Sequence, residues 1–147
     1  MKRRKKIIVF LLAVVAAIFL AMVITNTGIG SRISLPNVYD VNAIEFYQIE
    51  NRSQSATVRT TEPRDIEVIM SALSTARQTS FTWYSAANEV PFQANYLRVY
   101  IYSDTGVMNR RLSLYGGNTV YVEYKGIYRI NSTKYEEIFQ IFEGLTE

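Results

Sequence analysis

The sequence predicts an α+β domain, an antiparallel sheet with two helices on one face, behind an N-terminal transmembrane helix. Three observations lead there: an 18-residue run without a polar side chain, several stretches of period-two hydrophobicity, and two segments with the i, i+3, i+4, i+7 spacing of a helix.

The apolar run comes first. Residues Lys2, Arg3, Arg4, Lys5 and Lys6 precede Ile7 to Ile24, which contain no polar residue. As a helix, that length spans about 27 Å, close to the roughly 30 Å hydrocarbon core of a bilayer. A signal anchor is the expected reading, with the lipid bilayer contacted through Ile7 to Ile24. Cleavage as a secretory signal is the alternative, near Gly28 or Gly30, although no Ala-x-Ala follows the run. A buried core helix is the third reading, disfavoured by a segment that is apolar all round. The positive-inside rule keeps residues 1–6 cytoplasmic and sends the rest outside. Residues 25–37 carry Gly, Ser, Thr and Pro36 without periodicity and read as a linker.

The domain is expected over 38–147. Ile44, Phe46 and Gln48 alternate with Glu45, Tyr47 and Ile49 in a first strand, and Asn51 to Gln54 turn into a second at Ala56 to Thr60. Ile66, Ile69, Met70 and Leu73 then form a helical stripe within Pro63 to Ala76, with Thr61 as expected N-cap. A strand follows at Tyr96 to Tyr102, with Leu97, Val99 and Ile101 on one face. Ser103 to Gly106 turn into another strand ending near Leu114, and Gly116-Gly117 turn into Thr119 to Tyr124. Lys125-Gly126 is a turn or bulge before Ile127 to Ile130. Thr133 to Glu136 has capping-box spacing and opens a last helix with the stripe Tyr135, Ile138, Phe139, Phe142 and Leu145.

Composition narrows function mostly by exclusion. Of 16 Lys and Arg, five lie in the first six residues; the 11 that remain face 13 Asp and Glu, a net −2. The basic character belongs to the N-terminal tail, so no nucleic-acid partner is expected. There is no Cys and no His, which excludes disulfides, thiolate metal sites, lipid-bearing Cys and His-dependent catalysis. No cofactor or metal is expected, since no P-loop, Gly-x-Gly-x-x-Gly or calcium loop occurs.

The stretch Tyr121 to Ile130, the loop Ser85 to Pro91 and the helix start at Asp65-Ile66 together resemble a family of uncharacterised exported domains of Gram-positive bacteria. The resemblance covers about Val41 to Gly144. It implies an extracytoplasmic α+β domain, attached in many relatives as a lipoprotein; here the missing Cys leaves the apolar segment as the attachment. Glu89 stands where the family pattern has Asp, and Tyr124-Lys125 shortens its Pro-Tyr step. No activity comes with the resemblance.

Without His or Cys, catalysis would need a Ser–Lys pair or paired carboxylates. Ser132 and Lys134 sit in an expected helix start. Glu45, Glu50, Glu89, Asp104 and Glu123 have no spacing that selects a pair. A non-catalytic role is therefore expected. The candidate binding face is Tyr96, Arg98, Tyr100, Arg111, Tyr121 and Glu123, with Tyr102 on the same strand face; aromatic rings give contact area at low entropic cost. Cross-strand stabilisation of a half-exposed sheet is the competing explanation. Trp83, Tyr84, Asn88 and Glu89 form a candidate binding loop. The expected function is a single-pass membrane-anchored extracytoplasmic interaction module with a membrane or envelope protein partner. The alternatives are a binder of envelope polymers or peptides released by signal cleavage, and a small hydrolase using carboxylates.

Overall fold

The computed structural model describes residues 2–27, 30–79, 95–104, 106–123 and 125–147. Its first element is helix α1, Lys2–Thr27, in which every side chain from Lys6 to Val23 is exposed. This apolar helix is long enough to anchor the chain in a membrane.

A 3-10 turn at Val38–Asp40 leads into β1 (Val41–Glu50) and β2 (Ser53–Thr60). Helix α2 (Pro63–Ser74) and β3 (Arg77–Gln78) come next, then β4 (Tyr96–Ser103), β5 (Met108–Tyr115), β6 (Thr119–Val122), β7 (Gly126–Arg129) and helix α3 (Ser132–Thr146). The strands form one sheet in the order β2-β1-β4-β5-β6-β7-β3, antiparallel at every step. The mixed α+β class predicted from sequence is the class observed.

Register explains the two faces. Ile44 opposes Ile101, Phe46 opposes Val99, and Leu97 opposes Leu114, which opposes Val120. These side chains lie on one side and are all buried. Ile66, Ile69, Met70 and Leu73 of α2 and Tyr135, Ile138 and Phe142 of α3 complete the same core. The Phe46 and Phe142 rings meet at 5.9 Å between centroids. Because β2 and β3 occupy opposite edges, α2 must travel over this inner face to connect them.

Local chemistry departs from expectation at several points. The first hairpin turns on two residues, Asn51 and Arg52, both in the left-handed region with φ 50° and 66°, the conformation of a two-residue I′ turn. Thr61 does not cap α2; Glu62 occupies that position without a side-chain bond. Buried Thr60 acts instead, accepting from the Glu62 N–H (3.2 Å) while its hydroxyl donates to Asp65 (3.0 Å). Similarly, α3 is capped by Asn131, whose Oδ1 accepts from Thr133 N–H at 2.9 Å. The helix thus begins before the Thr133–Glu136 box. The strand β3 was not foreseen, since two residues carry no period.

The stretch read as a linker is partly fastened to the domain. Gly30 N–H donates to the Gln78 carbonyl (2.8 Å), Gln78 N–H to the Ser31 carbonyl (2.9 Å), Arg32 bridges to Arg77, and Ile33 is buried in the core. Residues 30–33 therefore extend the β3 edge of the sheet.

Two substitutions test this packing by denaturant unfolding of the full chain in detergent. Phe46→Ala is expected to cost about 3–5 kcal/mol by leaving a cavity against Phe142. Asn131→Ala is expected to cost about 1 kcal/mol through the lost cap. Equal, near-zero effects would contradict the described core.

Candidate binding face

Strand β4 builds the face. Leu97, Val99 and Ile101 point into the core, so Tyr96, Arg98, Tyr100 and Tyr102 point the other way, all half-buried. Neighbouring strands extend these positions in rows. Glu45 of β1 opposes Tyr100, which opposes Arg111 of β5; Tyr47 opposes Arg98, which opposes Ser113, which opposes Tyr121 of β6. Glu123 follows β6 directly and pairs with Arg111.

Two clusters result. In the first, Glu45 accepts hydrogen bonds from the hydroxyls of Tyr47 (3.0 Å) and Tyr102 (2.9 Å) and from Arg59 (3.1 Å). The Tyr47 ring meets Tyr100 edge-on at 5.0 Å, and the Arg59 guanidinium lies 5.7 Å from the Tyr102 ring centre. Burial, followed by the hydrogen bond to anionic Glu45, pushes the Tyr102 pKa up to about 12. For Tyr47 the bond to Glu45 is the leading cause of an upward shift. Both phenols are thus fixed as donors, and the carboxylate is spent holding rings.

The second cluster encloses a cavity of about 120 Å³. Five of the six residues predicted for the face line it: Tyr96, Arg98, Arg111, Tyr121 and Glu123. Tyr100 stands outside its lining, packed on Tyr47. Arg98 donates to the Tyr96 hydroxyl at 2.6 Å and lies 5.5 Å from the centre of that ring. Burial opposes the Arg111 charge, but hydrogen bonding and attraction to Glu123, with a smaller part from Tyr100, carry its pKa above the ordinary value. Both partners are about one-third exposed, so the pair adds at most about 1 kcal/mol to stability. Its effect is to orient the Arg111 fork.

Sequence reasoning missed Tyr115 and Ser113 in this cavity and Glu45, Tyr47 and Arg59 beside it. The alternation of β1 contained the signal for Glu45 and Tyr47, but only the β1–β4 pairing brings them to Tyr100 and Arg98. Tyr115 is buried, with its ring 5.0 Å from Tyr96. Burial pushes its pKa up to about 12. Trp83, Tyr84, Asn88 and Glu89 lie outside the described residues.

The arrangement offers two guanidinium groups, one carboxylate and several hydroxyls between ring faces, a set suited to holding acceptor-rich polar groups. Lys134, the base of the sequence-level Ser–Lys pair, is bound by Glu137 at 2.8 Å. Among the described residues no cluster of three or more Asp, Glu, His or Cys could hold a metal.

Buried tyrosines give the domain a defined alkaline limit. The pKa values of Tyr115 and Tyr135 are both pushed up to about 12 by burial, whereas an unfolded tyrosine ionises near pH 10. Their contribution is present below pH 10 and is lost as pH rises from about 10 to about 12, by about 3 kcal/mol for each group. Melting of the full chain should be flat up to about pH 9.5 and fall steeply above it, with the tyrosinate absorbance of the buried rings rising only on unfolding. Reversible ionisation of all tyrosines in a folded chain would contradict the burial.

Comparison with known proteins finds no match among curated proteins and none among solved structures. One family model, DUF5301, described as "Domain of unknown function (DUF5300)", matches residues 29–129. The match begins one residue before Gly30, which bonds to the sheet edge, and takes in every strand among the described residues. It spans more than half of the chain, which therefore belongs to this family of domains of unknown function.

Proposed function

We propose that this chain is a single-pass, membrane-anchored interaction module of the cell envelope. In this reading α1 spans the bilayer, residues 1–6 stay in the cytoplasm, and the domain binds a membrane or envelope protein outside, without catalysis. The carrying observation is the outer sheet face, where rings and guanidinium groups surround a small cavity while the opposite face is covered by two helices. Such a face supplies contact area and directional donors with little side-chain entropy to lose. A membrane tether raises the effective concentration of a weak binder near a membrane partner. The five N-terminal positive charges support the orientation.

The absence of native cysteine makes both halves testable in cells. A Ser55→Cys chain, altered at an exposed position of β2, should react with a membrane-impermeant maleimide on intact cells. Reaction only after lysis would reverse the orientation. For binding, a specific membrane-protein adduct obtained by cross-linking should be lost in Arg98→Ala/Tyr100→Ala. An unchanged adduct would remove this face from the proposal. Recovery of a shortened chain in the medium, bound to wall polymer or peptide, would replace the anchored module with a released binder.

A further inference from the structure

A second cavity, of about 250 Å³, lies away from the outer face, where residues 30–34 join the sheet edge. Its lining contains three cations, Arg32, Arg110 and Lys125, and no Asp or Glu. None of the three takes part in an ion pair among the described residues. Arg110 is half-buried, and its Nε is fully buried without a hydrogen-bond partner among the described residues. Leaving guanidinium N–H groups buried and unpaired is costly, and the cost disappears when an acceptor arrives.

The wall around these cations is built. Gln78 is buried; its Oε1 accepts from the Ser31 hydroxyl at 2.8 Å, and its Nε2 donates to the Lys125 carbonyl at 3.1 Å. One side chain thereby joins the segment after α1 to the β6–β7 turn, fixing the backbones that carry Arg32 and Lys125. Guanidinium forks and an ammonium around a small polar space are the donor set for a tetrahedral oxyanion.

Chain length limits how far this site can lie from α1. Thr27 and Arg32 are five residues apart, at most about 18 Å of extended chain. The helical turn from Val23 to Thr27 adds about 6 Å beyond the apolar span. Arg32 is therefore within reach of the headgroups of the leaflet that α1 leaves, where an anionic lipid would attract Lys and Arg.

We propose that this cavity binds a phosphate-type oxyanion, supplied either by a lipid headgroup or by a free phosphate compound. The lipid source requires that α1 be the anchor; the site itself does not. It is independent of the outer Tyr/Arg face.

The test uses the full-length chain in phosphate-free maltoside micelles and in nanodiscs containing phosphatidylglycerol, and follows acetylation of Lys125 by mass spectrometry, with Lys134, held by Glu137, as the internal reference. In the micelles, added inorganic phosphate should slow Lys125 acetylation about fivefold if free oxyanion is the ligand. Slowing only when phosphatidylglycerol is included identifies the headgroup. Either protection should be lost in Arg32→Gln, an exposed position, and in Arg110→Gln where circular dichroism shows that variant folded. Lys125 reactivity that is the same in all three conditions overturns the proposal. So does protection that survives Arg32→Gln in full, since bilayer shielding alone would then account for it.

Discussion

The register of β4 between β1 and β5 is the constraint on which the rest depends. In a strand of period two, a slip of one residue would send Leu97, Val99 and Ile101 to solvent and bury Tyr96, Arg98 and Tyr100. Burial under α2 and α3 forbids that slip, because the inner face must be apolar to exclude water. The outer face inherits its geometry from this requirement. Arg98 meets Tyr96, Tyr100 meets Tyr47, and Arg111 meets Glu123 because the core holds their strands in line. A candidate binding surface built in this way is preorganised, with rings and forks already positioned by strands rather than loops.

The two helices do different parts of this work. Helix α2 crosses the inner face between opposite sheet edges, joining β2 to β3, and thereby brings the β3 edge to the segment that leaves α1. Helix α3 lies beyond the family match, yet Phe142 contacts Phe46, and the Tyr135 hydroxyl donates to the Tyr115 carbonyl at 2.6 Å. That bond ties the last helix to the strand whose side chain lines the outer cavity. The sheet therefore links the surface proposed for a partner to the edge proposed for an oxyanion.

Much of this organisation was legible in the sequence because it follows from period. Leu97-Val99-Ile101, the Ile66-Ile69-Met70-Leu73 stripe and the five N-terminal charges each carry a local pattern. The side chains of β4 that face outward followed from the same alternation. Elements whose logic is long-range were not legible. The two residues of β3 exist because β7 offers an edge, and Ile33 is buried because Gln78 fastens the chain beside it. Tyr115 reads as one more strand aromatic until its burial under Tyr96 is seen. Helix caps failed for a related reason: Asn131 and Thr60 were chosen by backbone geometry at the strand–helix junction, not by motif spacing.

Cysteine accessibility along β4 reads out its register residue by residue, since the chain contains no native thiol. Single cysteines at positions 97 to 102 would be reacted with a maleimide in the purified full-length chain and again in intact cells. The account predicts alternation in the purified chain, with positions 98, 100 and 102 reactive and 97, 99 and 101 protected. In cells, positions 98 and 100 should lose reactivity to the bound partner while a cysteine at position 55 keeps it. Uniform reactivity along the strand would contradict the register, and an alternation that is identical in cells and in the purified chain would contradict the proposed partner.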